Sequence, residues 1–121
     1  MKLTMPLPPN VANARWHWAQ RVRAKTRYYR ACDERQNVGL IPAPPRFPFE
    51  HVTLSAAFYV HNFMDADNAF ARLKFVQDWL VTRGYLVDDS PAHLTLEPIT
   101  QEVDRKNKRL ELLLRPTVGA P

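Results

Sequence analysis

The sequence predicts one α+β domain spanning residues 1–121, in which a mixed or antiparallel sheet of about four strands packs against two main helices. A length of 121 residues suits a single domain, and 45% hydrophobic with 24% charged residues is ordinary for a folded chain. Residues 51–60 alternate apolar and polar side chains, as a half-buried strand does, whereas residues 67–83 repeat apolar side chains at helical spacing. The predicted order is β-α-β-α-β-β, with the helices on one face of the sheet.

A short strand and a long helix are predicted first. Residues 2–5 form the strand, which ends where Pro6, Pro8 and Pro9 cannot donate ladder hydrogen bonds. The helix covers residues 13–36, and Asn13 is a candidate N-cap. Its apolar face is predicted to contain Trp18, Val22, Tyr29 and Cys32.

A proline-rich loop over residues 37–50 leads to the alternating strand and then to the second helix, residues 67–83. The main apolar stripe of this helix is Ala69, Leu73, Val76 and Leu80. Phe75 and Trp79 form a second apolar patch, which we expect to face a partner chain. Gly84 is a natural stop for the helix.

Two further alternating segments complete the sheet. Leu94 and Leu96 alternate with polar residues, and residues 109–114 do the same. The connecting residues 101–108 are polar and are predicted to form the long loop of a hairpin.

The balance of charge favours a polyanionic partner. The net charge is +5 and the isoelectric point about 9.7, and phosphate contacts usually dominate nucleic-acid affinity. Many basic proteins nevertheless bind nothing anionic. Aromatic residues are interleaved with the basic residues of the first helix and suit base stacking, but core packing is the preferred interpretation for Trp18 and Tyr29. The candidate DNA-binding residues are Arg15, Arg21, Arg23, Arg27, Arg30, Lys106 and Lys108.

Carboxylates cluster at both ends of the second helix, with Asp65 and Asp67 before it and Asp88 and Asp89 after it. A chain that leaves a strand, forms a helix and returns is expected to bring these acids near one sheet edge. Such a cluster needs a cation, and Mg²⁺ prefers hard oxygen ligands of this kind. Alternatively, Asp65 or Asp67 simply caps the helix, and Asp88 and Asp89 are simply turn residues.

Four motifs together carry a family resemblance. They are Leu7-Pro8-Pro9-Asn10, Asp65-Ala66-Asp67-Asn68, Asp78-Trp79-Leu80 and Gly84-Tyr85-Leu86-Val87-Asp88-Asp89-Ser90. They resemble the RusA family of phage and bacterial Holliday junction resolvases, which has Pro-Pro-Ser or Pro-Pro-Asn near the start. That family continues with Asp-x-Asp-Asn opening a helix and Gly-aromatic-x-x-Asp-Asp after it. The resemblance covers most of the chain and keeps the order of the motifs and their approximate spacing.

The resemblance implies an intertwined homodimer that resolves four-way DNA junctions with Mg²⁺, using one acidic site in each subunit. By the same resemblance, Asp65, Asp67 and Asp89 hold the metal and Asp88 is an accessory carboxylate. Asn68 is assigned a structural role, its side chain holding the turn. No small-molecule cofactor is expected besides Mg²⁺.

The family also uses a lysine four residues after the second aspartate of Asp-x-Asp-Asn. In this chain that position is Ala71, and the matching catalytic lysine is Lys74, three residues later. Because the insertion is nearly one helical turn, Lys74 stays close to the face of Asp67 but lies one turn further from the metal. Arg72 is expected on a different face, and Met64 stands where some relatives have arginine.

The single cysteine, Cys32, excludes an internal disulfide and fits a reducing cytoplasm, in a bacterial host or encoded by a phage. The sequence has neither a signal-peptide pattern nor an apolar run of roughly 18 to 20 residues, so we expect no membrane partner. Two alternatives to the nuclease remain open. One is a catalytically impaired protein that binds branched DNA on the same fold, and the other is a purely structural dimer whose carboxylates are caps.

Overall fold

The computed structural model describes residues 1–10 and 17–117, which form two helices and a five-stranded mixed sheet. The predicted α+β class is therefore confirmed. The elements in chain order are β1 (Lys2–Met5), α1 (Trp18–Asn37), β2 (Val52–Val60), α2 (Ala66–Thr82), β3 (Leu94–Leu96), β4 (Thr100–Val103) and β5 (Arg109–Pro116). The prediction that α1 begins near Asn13 falls outside the described residues.

Strand β2 lies at the centre of the sheet. It pairs antiparallel with β5 on one side and parallel with β3 and β4 on the other, and β1 pairs antiparallel with β5 at the far edge. Every second residue of β2 is buried, as its alternation predicts. The apolar face of β2 therefore forms the floor of the core, together with alternate residues of β1 and β5.

The predicted hairpin after residue 97 was wrong. Residues 101–103 belong to β4 rather than to a loop, and β3 and β5 flank β2 on opposite sides instead of pairing with each other. Pro98 lies in the break between β3 and β4, where a ladder donor is missing. Because β4 is largely exposed, its polar residues are compatible with a strand.

The buried face of α1 also differs from its prediction. The buried residues are Tyr28 and Cys32, whereas Trp18 is 77% exposed and Val22 is 50% exposed. The Tyr28 hydroxyl donates a hydrogen bond to the Pro6 carbonyl oxygen at 2.9 Å, which ties the second half of the helix to the segment after β1. The remaining described residues leave the first half of α1 largely uncovered.

The main apolar stripe of α2 is buried as predicted. In the second apolar patch, however, Trp79 is buried by this chain itself rather than left exposed for a partner chain. Trp79 is fully buried within this chain, with its ring centroid 5.3 Å from that of Tyr85. Its indole Nε1 donates to Asp33 Oδ1 of α1 at 2.9 Å, and Arg83 donates to both oxygens of the same carboxylate at 2.8 Å. Asp33 therefore fastens α1 to α2.

The Asp33 carboxylate should make stability fall in acid. The hydrogen bond from Arg83 is the largest cause that lowers the pKa of Asp33 below its ordinary value of 3.8. A depressed carboxyl pKa contributes stability above that ordinary value and loses it as the pH falls through the lowered pKa. Urea unfolding of Asp33→Asn should therefore show a lower free energy at neutral pH and a smaller further loss below about pH 4. The exposed neighbour variant Glu34→Gln serves as control, and identical pH profiles for all three proteins would refute this role.

Gly84 ends α2 in a Schellman motif, as predicted for its helix-stopping role. Its φ is +86°, its N–H donates to the Val81 oxygen at 3.2 Å, and the Tyr85 N–H donates to the Leu80 oxygen at 2.9 Å. An added Cβ would touch nothing, so only backbone strain opposes a side chain there.

Replacing Gly84 with alanine should therefore lower the free energy of unfolding by about 1–2 kcal/mol. Gly84→Asn should lose less, since asparagine tolerates positive φ. Both values can be read from chemical denaturation, and equal stability of Gly84→Ala and the wild type would contradict this prediction.

Neither described helix is long and apolar enough to cross a membrane.

Candidate active site

The first pair of predicted acids lies at the start of α2, just after the end of β2. Asp65 is the N-cap of α2, with φ −71° and ψ 165°, and its Oδ1 accepts a hydrogen bond from the Asn68 N–H at 3.0 Å. Asp67 is exposed in the first turn, where its charge complements the helix dipole. The capping interpretation of Asp65 is thus confirmed, and the capping hydrogen bond occupies one oxygen of its carboxylate.

Asn68 is the only buried polar residue in the described part of the chain, at 9% exposure. Its backbone N–H holds the turn by bonding Asp65, whereas its side-chain oxygen has no hydrogen-bond partner among the described residues. The predicted structural role therefore lies in its backbone rather than in its amide.

The second group of predicted residues meets along the side of α2. Lys74 Nζ lies 2.5 Å from Asp89 Oδ2 and 3.8 Å from Asp78 Oδ1. The hydrogen bond to Asp89 is the largest cause that raises the pKa of Lys74, so the ammonium group stays charged at neutral pH. Beside it, the Ser90 side chain lowers the pKa of Asp88 by hydrogen bonding. The structure therefore brings the predicted lysine and a predicted metal ligand together, although 15 positions separate them.

The two groups of acids do not merge. Because β2 and β3 are parallel, α2 begins beyond the end of β2 and ends near the start of β3, so its two ends lie at opposite ends of the strands. The seven residues from Asp67 to Lys74 alone rise about 10 Å. Among residues 1–10 and 17–117, no group of three or more His, Cys, Asp or Glu side chains could hold a metal ion. The expected gathering of all the acids at one sheet edge is not met within the described chain.

A smaller Mg²⁺ site fits the residues at the start of α2. Mg²⁺ usually keeps several waters and takes one or two carboxylates together with phosphate oxygens. Asp65 and Asp67 supply two carboxylates of the right chemistry, two residues apart and at the solvent-exposed end of a helix. The assignment of Asp89 as a third ligand stays a prediction, since its carboxylate is bound to Lys74.

A cleft of about 730 Å³ opens beside Asp65, between the end of β2 and the first turns of α2. Its wall includes two cations, Arg72 and Lys108, together with Asn10 and Phe63. Lys108 was predicted as a DNA contact from its loop alone, and the fold places it on the same cleft as Asp65. Arg72 was not among the predicted site residues, although seven residues, or about two helical turns, separate it from Asp65 on one helix face.

Basic residues of α1 form a second surface near this cleft. Four of the predicted DNA contacts are exposed on α1, namely Arg21, Arg23, Arg27 and Arg30. A fifth, Arg15, lies outside the described residues. Arg27 borders a shallow cavity with Leu7 and Pro9, and Leu7 also lines the cleft beside Asp65. Leu7 thus lies between the basic residues of α1 and the cleft beside Asp65. Lys106 is exposed in the turn before β5.

Comparison with known proteins adds no further support: no model of a known protein family matches the chain, and no curated protein matches it. The resemblance to the RusA family therefore rests on the sequence motifs alone.

Proposed function

We propose that this protein is a Mg²⁺-dependent endodeoxyribonuclease that cuts branched DNA and, as a homodimer, resolves four-way junctions. The observation that carries the proposal is the cleft beside Asp65. There Asp65, the N-cap of α2, lies on the same wall as Arg72 and Lys108, and Asp67 follows it in the first turn of the helix. An acid for a metal and cations for a phosphate on one concave surface suit the cleavage of a phosphodiester.

In this proposal each residue of the site has a distinct role. Asp65 and Asp67 hold the ion, and Asp65 is fixed in place by its bond to the Asn68 N–H. When bound, Mg²⁺ polarises the phosphodiester and lowers the pKa of a coordinated water. Lys108 and Arg72 offset the repulsion between these carboxylates and the DNA backbone. Asp89 binds Lys74 and keeps it protonated, which positions the lysine beside α2.

The basic face of α1 supplies the path by which DNA reaches the cleft. Arg21, Arg23 and Arg27 are exposed and lie on the part of α1 that the rest of the described chain leaves uncovered. Exposed arginines of this kind bind phosphates with little sequence preference, which suits an enzyme that recognises the shape of DNA. A dimer would present two such clefts, so two strands of a junction could be nicked symmetrically. We place this activity in the bacterial cytoplasm, where the buried Cys32 remains a thiol.

The proposal is tested by incubating the protein with a synthetic four-way junction and Mg²⁺. We expect paired nicks near the branch point, none in a linear duplex of the same sequence, and none in EDTA. Absence of Mg²⁺-dependent nicking of the junction would overturn the proposal.

A second candidate is a branched-DNA-binding protein without nuclease activity. The observation that favours it is the separation of the acids, with Asp89 bound to Lys74 at 2.5 Å rather than placed beside Asp65 and Asp67. It predicts tight, salt-sensitive binding of the junction with no nicking in Mg²⁺ or Mn²⁺. A purely structural dimer would instead show no salt-sensitive DNA binding.

A further inference from the structure

Arg72 carries a positive charge that the described residues do not neutralise. It is half-buried on α2, and its Nε is buried without a hydrogen-bond partner. Among the described residues, its guanidinium donates one hydrogen bond, from Nη1 to the thioether sulfur of Met64 at 3.2 Å. No carboxylate lies within ion-pair distance of it in the described part of the chain. Burial accordingly lowers the pKa of this guanidinium.

An unpaired, partly buried guanidinium is unfavourable, because its lost hydration is not replaced by a counter-charge. A thioether is too weak an acceptor to compensate. Two other arginines of the described chain are paired: Arg83 with Asp33, and Arg109 with Asp104. Arg72 is thus left available to an anion that enters from outside the described chain.

We propose that Arg72 binds a phosphodiester of the DNA backbone inside the cleft and holds that phosphate beside Asp65. This inference rests on the proposed function for the identity of the anion. Its physical basis is the unpaired guanidinium, the open cleft of about 730 Å³ that it lines, and the second cation, Lys108, on the same wall. A planar guanidinium suits this task, since it can donate two parallel hydrogen bonds to one phosphate.

Arg72 and Lys74, the lysine expected from the resemblance, differ in their charge partners and in their position relative to the cleft. Lys74 is already bound to Asp89 and lies near Asp78, so its charge is largely offset within the protein. Arg72 has no such partner and lines the cleft that Asp65 lines, whereas Lys74 is not part of that wall. The phosphate contact nearest to Asp65 is therefore assigned to Arg72.

The test is made without Mg²⁺, so that it does not depend on nuclease activity. The Nε–Hε resonance of Arg72 in the ¹⁵N-labelled protein is identified by its loss in Arg72→Lys. It is then followed during titration with a short DNA oligonucleotide and, separately, with inorganic phosphate. We expect a saturable shift with the oligonucleotide. No shift with either probe would overturn the proposal, and so would a shift with inorganic phosphate alone, which would indicate a site for free phosphate.

A binding comparison supplies the second measurement. Arg72→Gln should weaken junction binding in EDTA by about tenfold or more and make its salt dependence shallower by about one counter-ion. The control is Arg46→Gln, an exposed arginine in the loop before β2, which should change affinity by less than about twofold. Equal affinities of the two variants would refute the role of Arg72. If the wild type binds through Arg72 but never nicks DNA, the nuclease proposal fails while the phosphate site stands.

Discussion

Replacing Asp67 by asparagine should reduce Mg²⁺-dependent cleavage of a four-way junction by at least about a thousandfold. Asp67 is exposed, does not cap α2 and has no ion-pair partner among the described residues, so the substitution removes a charge at the helix start without breaking an ion pair. Asp65→Asn is less informative, because it also alters the N-cap of α2. The expected loss arises because a neutral amide is a poor ligand for Mg²⁺ and lowers the occupancy of the site.

The measurement is a single-turnover cleavage rate, compared with junction affinity in EDTA. Affinity should stay within about threefold of the wild type, since the loss of one negative charge does not weaken phosphate contacts. Glu102→Gln, an exposed acid on β4, removes the same charge elsewhere and should cleave at the wild-type rate. Cleavage by Asp67→Asn at half the wild-type rate or more would exclude this carboxylate from the catalytic site.

The largest loss of stability is expected for Trp79→Ala, at about 3–5 kcal/mol. Trp79 is fully buried, packs against the Tyr85 ring and donates to Asp33, so its removal opens a cavity between the two helices. Trp79→Phe keeps most of the packing and should lose less, with the missing hydrogen bond contributing about 1–3 kcal/mol.

Urea denaturation of these variants also tests the revised view of α1. Trp18→Ala should change stability by less than about 0.5 kcal/mol, because Trp18 is 77% exposed. Similar losses for Trp18→Ala and Trp79→Ala would mean that the first half of α1 is packed and that the described burial is wrong. A loss below about 1 kcal/mol for Trp79→Ala would contradict its place in the core.

The sequence predicted most of the fold because the main elements have strong periodicity. The alternation of β2 runs over its full nine residues, and the apolar stripe of α2 repeats over the whole helix. Both patterns arise because one side of the element is buried, so they can be recognised in the sequence without knowing which element covers that side. The bounds of β1 were predicted correctly, since prolines end it.

The strand β4 and the exposure of the first half of α1 were not predicted, because neither follows from the pattern of apolar residues. β4 is a short, exposed edge strand and therefore has no apolar alternation to detect. The periodicity of α1 defines a face, but it does not say how much of the helix another element covers. Trp18 lies on that face and is exposed, because burial on α1 is confined to its second half.

The site was predictable only where neighbouring residues form it. Asp65 and Asp67 are two residues apart in sequence, and their position at the helix start follows from capping rules. The distance between the two acidic groups depends on the path of the whole β2–α2–β3 unit, because parallel pairing places the ends of α2 at opposite ends of the strands. Arg72 was missed because an unpaired guanidinium becomes evident only when every possible partner has been located.

The central claim is that Asp65 and Asp67 bind a divalent ion, and the most direct test is a crystal of the protein grown with Mn²⁺. We predict an anomalous difference peak within about 2.5 Å of carboxylate oxygens of both residues, and its absence from crystals of Asp67→Asn. Manganese bound only elsewhere, or a peak that persists unchanged in Asp67→Asn, would contradict the claim.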